Sequence, residues 1–123
     1  MLKIHAKNLE SFTVLSLQGQ IVTGETETLR ACVQSLSNTS AVVLDLARVT
    51  TVDAHGLGVL LQLREWTNAR GMRFELMNVS RPMSQIFAIT RLDTVFHITS
   101  SVEFFPSREQ ERRANMTPLR SCA

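Results

Sequence analysis

The run Ala41-Val42-Val43-Leu44-Asp45-Leu46 constrains this chain most. It is almost continuously apolar and rich in β-branched residues, with no alternation that would leave one face in water. Such a strand belongs in the middle of a sheet with both faces covered, the situation that helical crossovers create. The flanking sequence supplies the helices. Leu29, Cys32, Val33 and Leu36 fall at i, i+3, i+4 and i+7, one apolar stripe. From about His55 to Ala69 a second helix is predicted, with Leu57, Val59, Leu60, Leu61, Leu63 and Trp66 on an apolar arc. Gly58, Gln62, Glu65 and Ala69 share its other side, and Gly71 ends it as a left-handed cap. Arg73–Val79 reads as a strand. Ser80 with Pro82 starts a third helix, whose stripe is Met83, Ile86 and Phe87. Val95–Ile98 is a short strand, and Ser101–Phe105 one closing helical turn or two before Pro106. At the amino end, Leu2–Ala6 and Phe12–Leu17 alternate with period two around a turn at Asn8–Ser11, predicting an antiparallel pair. The order β-β-α-β-α-β-α-β-α predicts a single α/β domain, a mixed and mainly parallel sheet with helices packed against it.

Composition narrows the function. The 123 residues suit one domain, expected over 1–106, followed by a polar, frayed tail over 107–123. The whole net charge of +2 resides in that tail, so the folded part is neutral and shows no basic stripe for nucleic acid. No apolar run reaches the ~18–20 residues of a membrane span, so direct membrane insertion is not expected. Lys3 and Lys7 stand where a secretion signal would place its apolar stretch, which predicts a cytoplasmic protein. Cys32 and Cys122 show no CxxC spacing; Cys32, on a helix stripe, is expected as a core thiol in a reducing compartment.

Enzyme chemistry finds little support. His5, His55 and His97 lack the spacing of a metal site. Gly56-Leu57-Gly58 lacks the third glycine of a dinucleotide loop and the lysine of a phosphate loop, and no GxSxG is present. No catalytic residue, metal or cofactor is expected. Asp45, inside an apolar strand and near its end, should bond to loop amides. Asp53, just before a helix, is placed to cap it. Glycines at 56 and 58 keep the first turn bare, so another backbone can approach closely. The stretch lies where a strand's carboxyl end feeds a helix amino terminus, the place where open α/β sheets bind ligands and partners. The predicted partner surface is therefore the loop Thr50–His55, with Thr50, Thr51, Asp53 and His55, then Gly56, and the exposed side of the helix at Gly58, Gln62 and Glu65.

The same residues carry a family resemblance. Val52-Asp53-Ala54-His55-Gly56-Leu57-Gly58-Val59-Leu60-Leu61, after an apolar strand ending in Asp45-Leu46, resembles the STAS domain of bacterial anti-sigma factor antagonists. The likeness continues through Arg73–Val79, Ser80-Arg81-Pro82 and Ile89-Thr90-Arg91-Leu92-Asp93-Thr94-Val95-Phe96, so it covers about residues 10–105. It implies a protein-binding module that regulates transcription by binding an anti-sigma factor, often a serine-kinase-like switch protein. It also implies phosphorylation of a serine two residues after the aspartate. Here that position is His55, which has no hydroxyl, so control by the usual route is not expected; Thr50 and Thr51 are nearby hydroxyls that do not match the position. The alternative within the family is an accessory subunit of a membrane transporter complex.

Overall fold

A computed structural model describes residues 2–36, 39–99 and 120–121 of the chain. The apolar run becomes β3 (Ala41–Val52), flanked by β2 (Phe12–Ile21) and β4 (Arg73–Met77), both parallel to it. Outside β4 lies β5 (His97–Thr99), again parallel; outside β2 lies β1 (Lys3–Asn8), antiparallel. A two-residue strand, β6 (Arg120–Ser121), pairs antiparallel with β1 at Ala6 and His5. The sheet order is β5-β4-β3-β2-β1-β6. The predicted α/β architecture, mixed and mainly parallel, is the one observed. The predicted turn at Ser101–Phe105 lies outside the described residues.

Side-chain alternation divides the sheet into two faces. Ile4, Leu15, Leu17, Val42, Leu44, Phe74 and Leu76 belong to the main core. Against them pack Leu29, Cys32 and Val33 of α1 (Glu27–Gln34), Val59, Leu60 and Leu63 of α2 (Ala54–Ala69), and Met83 and Phe87 of α3 (Arg81–Ile89). All three helices therefore cover one face. Val14, Val43 and Met77 form a second, small cluster on the other.

Local chemistry explains the helix ends. Ser80 Oγ accepts from the Met83 N–H, with Pro82 in the first turn of α3. At the end of α2, Gly71 (φ 74°) donates to Asn68 O and Met72 donates to Thr67 O, the paired bonds of a Schellman motif. Arg91 also takes a left-handed conformation (φ 62°), leading into a 3₁₀ turn at Leu92–Thr94 that the sequence pattern does not reveal.

Three expectations need correction. β3 does not end near Leu46 but runs on to Val52, because Val49, Thr50, Thr51 and Val52 have strand-favouring side chains and β2 extends beside them to Ile21. Thr50 and Thr51 are thus strand residues, not loop. Asp45 sits within the strand, where the register with β2 shifts; its Oδ1 accepts from Ala47 N–H (3.0 Å) and Asn78 Nδ2 (3.1 Å). Lastly, Cys32 is buried as expected, but its sulfur is disulfide-bonded, with the partner outside the described residues. Cysteine content thus no longer argues for a reducing compartment.

Candidate functional site

The candidate site forms where β3 hands over to α2. Asp53 is the N-cap of α2 in extended conformation, and its Oδ1 accepts from the Gly56 N–H at 2.8 Å. Its other oxygen reaches across to the loop between β2 and α1. There Oδ2 accepts from both the Thr23 N–H (3.0 Å) and the Thr23 hydroxyl (3.2 Å). One carboxylate thereby ties the first turn of a helix to a loop thirty positions earlier in the chain. Two residues on, His55 adds a second link, its Nε2 lying 3.1 Å from Thr26 Oγ1. The cap role predicted for Asp53 is present; the bonds to Thr23 carry no signature in sequence, because they join distant segments.

These donors have an electrostatic effect. The Thr23 backbone N–H, then the Gly56 N–H, hold the Asp53 carboxyl below its ordinary value of 3.8. Desolvation opposes these two bonds, and the Thr23 hydroxyl and the nearby His55 add smaller effects in the lowering direction.

The two glycines have different reasons to be glycine. At Gly56 a Cβ would stand 1.9 Å from the Ile21 carbonyl oxygen, so the end of β2 presses on the first turn of α2. Gly56 is itself buried, which gives it a packing role. At Gly58 an added Cβ would meet nothing within 4 Å. Glycine in a helix costs about 0.5–1 kcal/mol relative to alanine, and no neighbour among the described residues requires it here.

The remaining predicted residues fall around this point. Thr50 and Thr51 are exposed on β3, with the Thr50 hydroxyl donating to Gly19 O. Gln62 and Glu65 are exposed on α2; Gln62 Oε1 accepts from Arg30 of α1 at 2.9 Å, which extends the surface onto that helix. Sequence reasoning missed Thr23, Thr26 and Arg30. Among the described residues, no group of three His, Cys, Asp or Glu side chains is arranged to hold a metal ion. No described helix is long and apolar enough to cross a membrane.

Comparison with known proteins bears on the fold that carries this site. The family model for the STAS domain matches residues 3–105. An anti-sigma factor antagonist from Mycobacterium paratuberculosis superposes with a TM-score of 0.75 at 17% identity, over 89% of this chain and 95% of that one. The anti-sigma factor antagonist SpoIIAA in its unphosphorylated form gives 0.68 at 18% identity, over 93% and 99%. A sulfate transporter family protein from Wolinella succinogenes gives 0.67 at 18% identity, over 76% and 80%. At these identities the likenesses establish the fold.

Two predictions follow from the site itself. Replacing Gly58 with alanine should raise stability by about 0.5–1 kcal/mol, whereas Gly56→Ala should lower it by about 1–3 kcal/mol, both read by denaturant unfolding. Equal effects at the two positions would refute their separate roles. Asp53 should also leave a mark on acid stability. A carboxyl lowered on folding stabilises the folded state above its unfolded value, and that contribution disappears as pH falls through the folded value. The melting-temperature gap between wild type and Asp53→Ala should therefore hold steady from neutral pH down to about 4 and narrow below it.

Proposed function

The chain belongs to the STAS domain family, and within it we propose an anti-sigma factor antagonist-like module that regulates transcription by binding an anti-sigma factor. The carrying observation is Gly58, a helix glycine that no part of the described fold requires, set beside the carboxylate-clamped turn Asp53–Gly56. A partner backbone can lie against α2 there, as no longer side chain would allow. Thr50, Thr51, Asp53, His55, Gln62 and Glu65 surround the point of approach, while Gly56 shapes it from below. No catalytic step and no cofactor is assigned to this surface.

The same reading makes the domain insensitive to a serine kinase acting at the helix start. Phosphate placed there would add about −1.5 to −2 charge against the partner. His55 occupies the position and presents an imidazole already engaged with Thr26. An alternative reading, as an accessory subunit of a membrane transporter complex, draws support from the structural likeness to the sulfate transporter family protein.

Immobilised full-length chain and its Gly58→Trp variant, exposed to lysate of the native host, separate these readings. An anti-sigma factor, identified by mass spectrometry, should be retained by the wild type and lost by Gly58→Trp with native circular dichroism. Retention of a transporter subunit, or equal retention of the anti-sigma factor by both proteins, would contradict the proposal. Incubated with ATP and a captured kinase-type partner, wild type should stay unmodified by intact mass, and His55→Ser should gain one phosphate. Phosphate on wild type at Thr50 or Thr51 would show that control has moved along β3 instead.

A further inference from the structure

The pairing of β2 with β3 breaks beside Asp45. β2 advances from Ser16 to Gln18 while β3 advances from Asp45 to Arg48, so β3 carries one extra residue there. Such a bulge bends its strand and re-aims the side chains around it. Asp45 Oδ1 holds the bulge, accepting from the Ala47 N–H and from Asn78 Nδ2. At this break opens a hollow of about 300 Å³, lined by His5, Ser16, Gln18, Asp45, Ala47 and Arg48. His5, Ser16 and Asp45 form one row across β1, β2 and β3. Their row faces away from the helices, because Leu15, Leu17, Leu44 and Leu46 on either side of it in sequence belong to the main core.

The polar groups of the hollow are uncommitted. Among the described residues, the side chains of His5, Ser16, Gln18 and Arg48 make no hydrogen bond or ion pair. Arg48 offers a planar guanidinium fork, the geometry that matches a carboxylate. Asp45 has its Oδ1 engaged in the bulge, which leaves Oδ2 to accept from a cationic N–H donor. One fixed positive and one fixed negative group thus share the hollow, with neutral donors and acceptors between them. A molecule that carries both charges complements this pattern. A phosphate dianion does not, because Asp45 would face it with like charge. The volume stands at the lower end of small-molecule pockets, about 300 Å³, which suits one small metabolite rather than a peptide.

We propose that this hollow binds a free α-amino acid. The carboxylate lies on Arg48 and the ammonium on Asp45 Oδ2, while His5, Ser16 and Gln18 meet a polar side chain. The site is separate from the surface around Gly58 and does not rest on the partner proposed there.

Isothermal titration calorimetry of the full-length protein with each of the twenty standard amino acids tests this. At least one amino acid with a polar side chain should bind with a Kd below about 1 mM. Arg48→Gln should weaken that binding about tenfold or more, and so should Asp45→Asn, which keeps an Oδ1 acceptor for the bulge. The methyl ester of the same amino acid, and its analogue with hydrogen in place of the α-amino group, should lose affinity to a similar extent. Absence of binding by all twenty would overturn the proposal, as would unchanged affinity in Arg48→Gln with native circular dichroism. Full affinity for the analogue without the amino group would also overturn it, since the hollow would then take a simple carboxylate. Inorganic phosphate binding more tightly than every amino acid would do the same.

Discussion

Asp53 satisfies two segments with one side chain. A helix start leaves N–H groups without partners, and a carboxylate at the cap can accept from them. Here one oxygen does so at Gly56 while the other holds Thr23 by its amide and its hydroxyl. The β2–α1 loop is thereby fixed to the start of α2, and with it the approach of α1 to α2 that brings Arg30 to Gln62. Depression of the carboxyl's proton affinity is the electrostatic face of the same arrangement.

That clamp works only because the chain can come close. The Ile21 carbonyl lies where a Cβ of residue 56 would be, so Gly56 is what allows the end of β2 and the first turn of α2 to meet. Gly58, one position beyond the next residue, has no such neighbour among the described residues. The contrast separates what the fold needs from what the surface offers. A bare, rigidly held turn with open space beside it suits recognition by another backbone, and the proposed function rests on that contrast more than on any titratable group.

Much of the fold was legible from residues alone. The apolar run of β3, the stripes of α1 and α3, the arc of α2 and the Gly71 stop each follow from local periodicity or backbone conformation, and each is where the pattern places it. What stayed hidden depends on pairing between distant segments. β3 outruns its apolar core because β2 extends beside Val49–Val52. Thr67, polar and fully buried in α2, is tolerated because its hydroxyl donates to Leu63 O and Arg64 O within the helix. At the site, Asp53 and the glycines were visible as a motif, but Thr23, Thr26 and Arg30 were not. Their partners lie about thirty positions away, and no local spacing encodes such contacts.

Amide hydrogen exchange at Thr23 and Gly56, in wild type and Asp53→Ala, tests the coupling most directly. If one carboxylate binds the loop and the helix start into a single surface, removing it should speed exchange at both amides together, with the amides of β3 and β4 unchanged. Faster exchange at Gly56 with Thr23 still at its wild-type rate would contradict the account, leaving Asp53 as an ordinary helix cap.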